Sequence, residues 1–112
     1  MTVIQEIYDQ NRRWELPSEG RLTIGSAPDN DIVMPVEDDV RDYHATLRIL
    51  SNAEFELYNV PGPELLGPGS DDIWIHKEES GEDFPLRSGA VINLKERDAC
   101  LIGSLLVQFL KD

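Results

Sequence analysis

The sequence predicts an all-β domain, a sandwich or barrel of about ten short strands with little or no helix. Apolar residues occur in short runs, and several runs alternate apolar with polar side chains, as in Phe55–Tyr58. Residues that favour turns separate the runs, for example Pro17–Gly20, Ala27–Asn30 and Ser88–Gly89. No stretch of helical length keeps apolar residues at the i, i+3, i+4, i+7 spacing of an amphipathic helix.

The predicted strands follow one another along the whole chain. They are centred on the runs Val3–Tyr8, Trp14–Leu16, Leu22–Ile24, Ile32–Met34, Ala45–Leu50, Phe55–Tyr58, Ile73–Ile75, Val91–Leu94, Cys100–Ile102 and Leu105–Leu110. Two stretches interrupt this order. Pro35–Tyr43 is short and acidic, whereas Val60–Ser70 contains three prolines and three glycines. Because proline removes a backbone donor and glycine adds conformational freedom, Val60–Ser70 is predicted to be a long surface loop.

Length and charge limit what the chain can be. Its 112 residues suffice for one core, so residues 1–112 are expected to form a single domain. The formal net charge of −12 repels nucleic-acid backbones and anionic membranes, which argues against binding to either. No apolar run is long enough to span a bilayer. Cys100 is the only cysteine, so no internal disulfide forms and a cytoplasmic location is expected.

Signals for catalysis or cofactor binding are weak. No Walker loop, GxGxxG, GxSxG or HExxH spacing occurs. Cys100 sits in an apolar run, where a buried thiol is expected, and the acidic segment from Asp29 lacks the residue order of an EF-hand loop. The sequence therefore predicts no enzyme activity, no metal ion and no cofactor. A catalytic pair of Cys100 with His44 or His76, or a metal protein, stays open as the rival class.

Three segments in fixed order carry a more specific signal: Gly20–Ser26, Asn30–Pro35 and Tyr43–Leu47. Together they resemble the forkhead-associated (FHA) domain, whose pattern has an Ile-Gly-Arg turn, an Asn-Asp-Ile-Val-Leu strand and a Ser-x-x-His-Ala entry. Leu86–Ile92 and Leu105–Phe109 are similar to later strands of the family. The resemblance implies a β-sandwich of about 11 strands in two twisted, mostly antiparallel sheets, with loops at one end that bind phosphothreonine peptides.

Three motif residues are expected to be structural. Gly25 lies between a strand and a turn, where a missing Cβ permits a positive φ or a close backbone approach. Asp31, or Asn30, is expected to accept backbone N–H groups in the turn before Ile32. His44 is expected to hold a loop carbonyl with one ring nitrogen beneath the recognition loops, and the resemblance implies the same architectural role.

The phosphothreonine site carries over poorly. The position of the family's peptide-contacting arginine holds Ser26, and the position of its phosphate-binding serine, three before the motif histidine, holds Arg41. The next position holds Asp42, and Asn59 lacks the glycine that follows the asparagine of the family's Asn-Gly loop. Arg41, with Ser26 and Ser70, is the remaining set of donors for a phosphate.

The loops that replace the site are acidic. They contain Glu37, Asp38, Asp39, Asp42, Asp71 and Asp72. Like charge in one concavity opposes a phosphate dianion. The sequence therefore predicts a non-catalytic protein–protein interaction module with a degenerate phosphothreonine site, which binds a basic protein surface or assembles with itself through an exposed edge strand. The alternative is a genuine phosphothreonine-peptide reader in kinase signalling, anchored by Arg41.

The pattern Gly-Arg-x-x-Ile-Gly-Ser of Gly20–Ser26, combined with the degenerate site, is similar to one branch of the family. It looks like the cytoplasmic domain of YscD-type inner-ring proteins of bacterial type III secretion. The resemblance implies a scaffold on the cytoplasmic face of a membrane-anchored export machine. Because those domains precede a membrane helix, it also implies that residues 1–112 are part of a longer protein.

Overall fold

Eleven strands form the described part of the chain in a computed structural model that covers residues 2–9, 11–35, 39–51, 54–60 and 72–111. They are β1 (Thr2–Glu6), β2 (Arg13–Leu16), β3 (Gly20–Gly25), β4 (Ile32–Val33), β5 (Ala45–Ser51), β6 (Glu54–Tyr58), β7 (Ile73–Lys77), β8 (Glu82–Leu86), β9 (Val91–Lys95), β10 (Ala99–Ile102) and β11 (Leu105–Lys111). These ranges contain no helix, and hence no helix that is long and apolar enough to span a bilayer. The all-β prediction is confirmed.

Two sheets pack face to face. One has the strand order β2-β1-β11-β10-β7-β8, and the other has the order β4-β3-β5-β6-β9. The short β3–β4 pair is parallel, and the other pairings are antiparallel. This arrangement confirms the predicted sandwich of two mostly antiparallel sheets.

Strand β8 was missed by the sequence pattern. Its residues Glu82–Leu86 contain two acids and Pro85, which makes the stretch resemble a turn. The strand lies at an edge of the six-stranded sheet, where a residue without a backbone N–H is tolerated. Tertiary pairing with β7 therefore overrides the weak local preference.

Alternation along the strands places one apolar face of each sheet in the core. Phe55 of β6 and Phe109 of β11 face each other across the two sheets, with ring centroids 5.0 Å apart. Cys100 belongs to the same buried cluster, as its apolar run predicted. Its thiol has a pKa raised by burial to about 12, so it stays protonated at neutral pH.

One end of the sandwich collects the long connections. The β3–β4, β4–β5 and β6–β7 connections and the β10–β11 turn all leave the sheets there, and we call this end the loop end. Its described residues are 26–31, 34–35, 39–44, 59–60, 72 and 103–104. Residues 61–70 of the predicted long surface loop lie outside the described residues.

Candidate functional site

Gly25 sets the spacing of the loop end because another backbone passes directly over it. A Cβ at this position would collide with the carbonyl oxygen of Asp42 and would lie 2.8 Å from the side-chain nitrogen of Asn30. Gly25 is not among the glycines with positive φ. Of the two reasons expected for glycine here, close backbone approach therefore applies.

Backbone and side-chain hydrogen bonds join the β3–β4 and β4–β5 connections. The amide of Ser26 donates to the Arg41 carbonyl at 2.9 Å, and the amide of Ala27 donates to the Asp42 carbonyl at 3.2 Å. The buried side-chain amide of Asn30 donates to the carbonyl oxygens of Asp42 at 2.7 Å and Ala27 at 2.9 Å. These contacts hold the two connections together as one unit.

The roles expected for Asn30 and Asp31 differ from those found. Asn30 donates where an acceptor was expected, because the groups it meets are carbonyl oxygens. Asp31 does accept a backbone N–H, but from Thr23 in β3 at 2.9 Å and not from the turn before Ile32. Its own amide donates back to the Thr23 hydroxyl at 3.1 Å. Asp31 therefore fastens the connection to the strand it has just left.

His44 lies beneath the β4–β5 connection and is only 2% exposed. Its Nδ1 accepts a hydrogen bond from the Arg41 amide at 3.1 Å, and its own amide donates to the Ile24 carbonyl at 2.8 Å. Through Nδ1 the ring therefore holds a loop N–H. An accepting Nδ1 has no proton on it, so the neutral ring carries its proton on Nε2. This bond fixes the backbone at Arg41.

A cleft lies between the β4–β5 connection, the start of β7 and the β10–β11 turn. Its volume is about 590 Å³, and its lining residues are Asp39, Val40, Arg41, His44, Asp72 and Gly103. Among these lining residues Arg41 is the one arginine, and Asp39 and Asp72 are the two aspartates. Asp72 is itself paired with Arg87, with a 2.6 Å contact between the carboxylate and the guanidinium. The cleft therefore mixes charges and does not concentrate positive charge.

The candidate phosphopeptide residues are only partly brought together. Ser26 and Arg41 face each other through backbone bonding, but the Ser26 hydroxyl oxygen is buried and has no hydrogen-bond partner among the described residues. Asp42 is exposed, and it contributes its carbonyl oxygen to the loop contacts. Ser70 lies outside the described residues. Among the described candidates, Arg41 is therefore the one that lines the cleft.

Asn59, one of the candidate partner-loop residues, is buried and is not among the residues that line the cleft. Its side chain is fully buried. The side-chain amide donates to the Leu86 carbonyl at 2.8 Å, the backbone amide donates to the Ala90 carbonyl at 2.9 Å, and the carbonyl accepts the Gly89 amide at 2.8 Å. Asn59 thus fastens the end of β6 to the β8–β9 turn.

Several acidic side chains of the loop end are already used inside the domain. The Tyr43 hydroxyl donates to the Asp29 carboxylate, with contacts of 2.9 and 2.7 Å to its two oxygens. Sequence reasoning missed this contact because the two residues lie 14 positions apart in the chain. Asp31 accepts a hydrogen bond from Thr23, and Asp72 is paired with Arg87. The described carboxylates most open to a partner are therefore the exposed side chains of Asp39 and Asp42.

The structure separates His76 from Cys100, which is one of the two catalytic pairs that the sequence leaves open. Register places His76 opposite Ala99, on the solvent side of the sheet, whereas the adjacent Cys100 points into the core. His76 Nδ1 instead lies 2.7 Å from the Asp83 carboxylate. In the ranges that the structure covers, no group of three or more His, Cys, Asp or Glu side chains is placed to hold a metal ion.

Comparison with known proteins agrees with the fold. A sequence model of the FHA domain family matches residues 22–95. The FHA domain of CT664 from Chlamydia trachomatis is 16% identical with a TM-score of 0.69, over 99% of this chain and 97% of that one. The FHA domain of human APLF, solved with an XRCC1 bisphospho peptide, is 18% identical with a TM-score of 0.67, over 99% and 98% of the two chains.

A third structure shows a different kind of complex. The FHA domain of FhaA, solved with the intracellular domain of Rv3910, is 15% identical with a TM-score of 0.67, over 97% of this chain and 99% of that one. At these identities the structural likeness concerns the fold alone. None of the curated protein sequences compared with the chain matches it.

Proposed function

This chain belongs to the FHA domain family, whose members are typically non-catalytic protein-interaction modules, and from that premise we propose a protein-binding module with a degenerate phosphothreonine site. In this proposal the domain recognises its partner without phosphorylation. Its role is to hold that partner in a larger assembly.

The composition of the cleft carries the proposal. A phosphate dianion is bound by several charged or N–H donors directed at one point. Here Arg41 shares the cleft with Asp39 and Asp72, and the serine at the position of the family's peptide-contacting arginine, Ser26, has a buried hydroxyl. Because Asp72 is already paired with Arg87, Asp39 and Arg41 remain, and the described lining of the cleft offers no excess of positive charge for a phosphate dianion.

The type of partner follows from the charge of the whole domain. A net charge of −12 attracts a basic protein surface, and such attraction weakens as salt screens it. The FhaA structure, in which an FHA domain is complexed with the intracellular domain of Rv3910, supports a protein domain as the partner. The setting we propose is a secretion-system ring on the cytoplasmic side of a membrane, which rests on the resemblance of Gly20–Ser26 to YscD-type proteins.

Calorimetric titration with a degenerate phosphothreonine peptide pool and its unphosphorylated twin tests the proposal, at low and at physiological salt. We expect the heat of binding to be the same for the phosphorylated and the unphosphorylated pool. Binding of the phosphorylated pool alone would overturn the degenerate-site proposal and would make the domain a phosphopeptide reader.

The second candidate function, phosphothreonine reading anchored by Arg41, is favoured by the place of Arg41 in the cleft. It predicts that Arg41→Glu abolishes phosphopeptide binding while the melting temperature is retained. The matched control is Arg21→Glu, which reverses the charge of an exposed side chain near the start of β3, away from the cleft. Phosphopeptide binding that survives Arg41→Glu would eliminate this anchor.

A further inference from the structure

A row of apolar side chains crosses the solvent-facing side of the six-stranded sheet. The register places Pro85 of β8 opposite Trp74 of β7, and Trp74 opposite Leu101 of β10. Leu101 in turn faces Leu106 of β11. Ile7 continues the row beyond Leu106, because its amide donates to the Leu106 carbonyl at 3.0 Å. We call these five residues the apolar row.

The row is open to solvent. Trp74 is 49% exposed and Ile7 is 38% exposed, while the other three side chains are half-buried. The strand neighbours of Trp74, Ile73 and Ile75, point into the core and are buried. A contiguous exposed apolar patch with a central tryptophan is typical of an interaction surface. None of the five residues lines the cleft at the loop end.

Charged groups border the row on both sides. Towards the loop end stands the Asp72–Arg87 pair, with a contact of 2.6 Å. On the other side stands His76, 2.7 Å from the Asp83 carboxylate and 3.7 Å from the Glu78 carboxylate. Three carboxylates thus stand against one arginine and a histidine. With a net charge of −12 on each molecule, a second copy is repelled and a basic partner is attracted.

The spacing of the row suits a helix. Neighbouring strands lie roughly 4.8 Å apart, and one helical turn rises about 5.4 Å, so one apolar side chain per turn can meet each strand. Five strands span about 19 Å, which is between three and four helical turns. An extended peptide would instead pair with the backbone of a sheet edge.

We infer that the apolar row docks an amphipathic helix of a partner protein, whose apolar stripe is bordered by lysine or arginine. Trp74 is the central anchor of this surface, and the bordering carboxylates contact the basic residues of the helix. The surface would act alongside the loop end and does not depend on it.

The test uses three synthetic peptides of equal length: a helical leucine–lysine amphipath, the same sequence with glutamate for lysine, and a scrambled leucine–lysine sequence. Binding is measured by calorimetry, and contact is located by ¹⁵N amide and Trp74 indole chemical shifts. We expect the helical leucine–lysine peptide to bind and to shift the row residues. The other two peptides are expected to bind at least tenfold more weakly.

Two variants and one control locate the contact on the protein. Trp74→Ser and Leu101→Ser are each expected to weaken binding of the helical leucine–lysine peptide at least tenfold. Leu50→Ser removes a side chain that is 42% exposed on the other sheet, and it is expected to change nothing. The probe peptides carry no phosphate, and none of the row residues lines the cleft, so failure of this inference is distinguishable from failure of the proposed function, which the phosphopeptide titration tests.

Other outcomes would overturn the inference. Equal binding of the scrambled peptide would show a charge effect without a helix site. Unchanged affinity in both row variants would place the contact elsewhere. A concentration-dependent dimer in sedimentation that Trp74→Ser abolishes would show that a second copy covers the row.

Discussion

The Asp98 carboxylate lies 2.8 Å from the Lys77 ammonium at the end of the sandwich opposite the loop end. Lys77 ends β7 of the six-stranded sheet, and its ammonium also donates to the Asn93 carbonyl of β9 at 2.9 Å. The buried Asp98 carboxylate also accepts the amides of Glu78 at 2.9 Å and Lys95 at 2.8 Å. One side chain thus satisfies three donors from two strand ends, those of β7 and β9.

Asp98→Asn should lower the free energy of unfolding by about 2 kcal/mol at neutral pH. Burial raises the pKa of Asp98, but the hydrogen bonds from Lys77, Lys95 and Glu78 outweigh it, so the pKa lies below its ordinary value of 3.8. A lowered pKa in the folded state adds stability above the unfolded pKa. That stability is lost as pH falls through the folded value.

Urea denaturation from pH 7 down to pH 2.5 measures this effect. The gap between the wild type and Asp98→Asn should be widest at neutral pH and should shrink below about pH 4. Asp83→Asn, at an exposed carboxylate, serves as the control and should stay within about 0.5 kcal/mol of the wild type. A gap that is constant over the whole range would show that the charge of Asp98 does not matter.

Lys77 also blocks a free sheet edge. β9 is an edge strand of the five-stranded sheet, and the Lys77 ammonium donates a hydrogen bond to the carbonyl oxygen of Asn93 in β9. Unoccupied backbone groups on an edge strand invite pairing with another chain. We therefore expect Lys77→Met to raise the mean molar mass in a concentration series by light scattering. Lys95→Met is the charge-matched control, and an equal rise in both variants would contradict an edge effect.

Gly25→Ala tests the close approach at the loop end. The added methyl group must displace the Asp42 backbone, so we expect a loss of about 3 kcal/mol in stability. Gly89→Ala is the matched control, because its φ of 83° strains alanine although nothing lies within 4 Å of the added Cβ. Its cost should be about 1 kcal/mol. If thermal and chemical denaturation showed the same loss of stability for Gly25→Ala and Gly89→Ala, the close contact with Asp42 would not be the reason for glycine at position 25.

Local patterns predicted most of the fold because alternating apolar residues are what a two-layer sandwich buries. They failed at β8, where Pro85 and the acids of Glu82–Leu86 look like a turn and only pairing with β7 makes a strand. They also failed to show that Trp74 would stand half exposed. Which face of a strand meets solvent depends on the partner sheet, and one apolar residue in a strand does not reveal it.

The loop end was less predictable, because its contacts join residues far apart in sequence. The motif pointed to Gly25 and His44, but the atoms they serve belong to Asp42 and Arg41, whose backbone positions the sequence does not specify. The burial of Asn59 could not be predicted for the same reason. A buried clamp and an exposed loop residue have the same local signature when an asparagine follows a strand.

Asn30→Asp tests whether side-chain donation holds the two loop connections together. Aspartate has nearly the same shape, but its carboxylate would face the carbonyl oxygens of Ala27 and Asp42, which now receive hydrogen bonds at 2.9 and 2.7 Å. We expect a loss of about 2–3 kcal/mol at neutral pH and faster hydrogen exchange at the amides of Ser26 and Ala27. Protonating the new carboxyl at low pH restores one donor, so the deficit should narrow there. Asp31→Asn is the control, because Asp31 is the next residue and is bonded to Thr23. If the Ser26 amide exchanged as slowly in Asn30→Asp as in Asp31→Asn, the backbone hydrogen bonds would hold the two connections together without the Asn30 side chain.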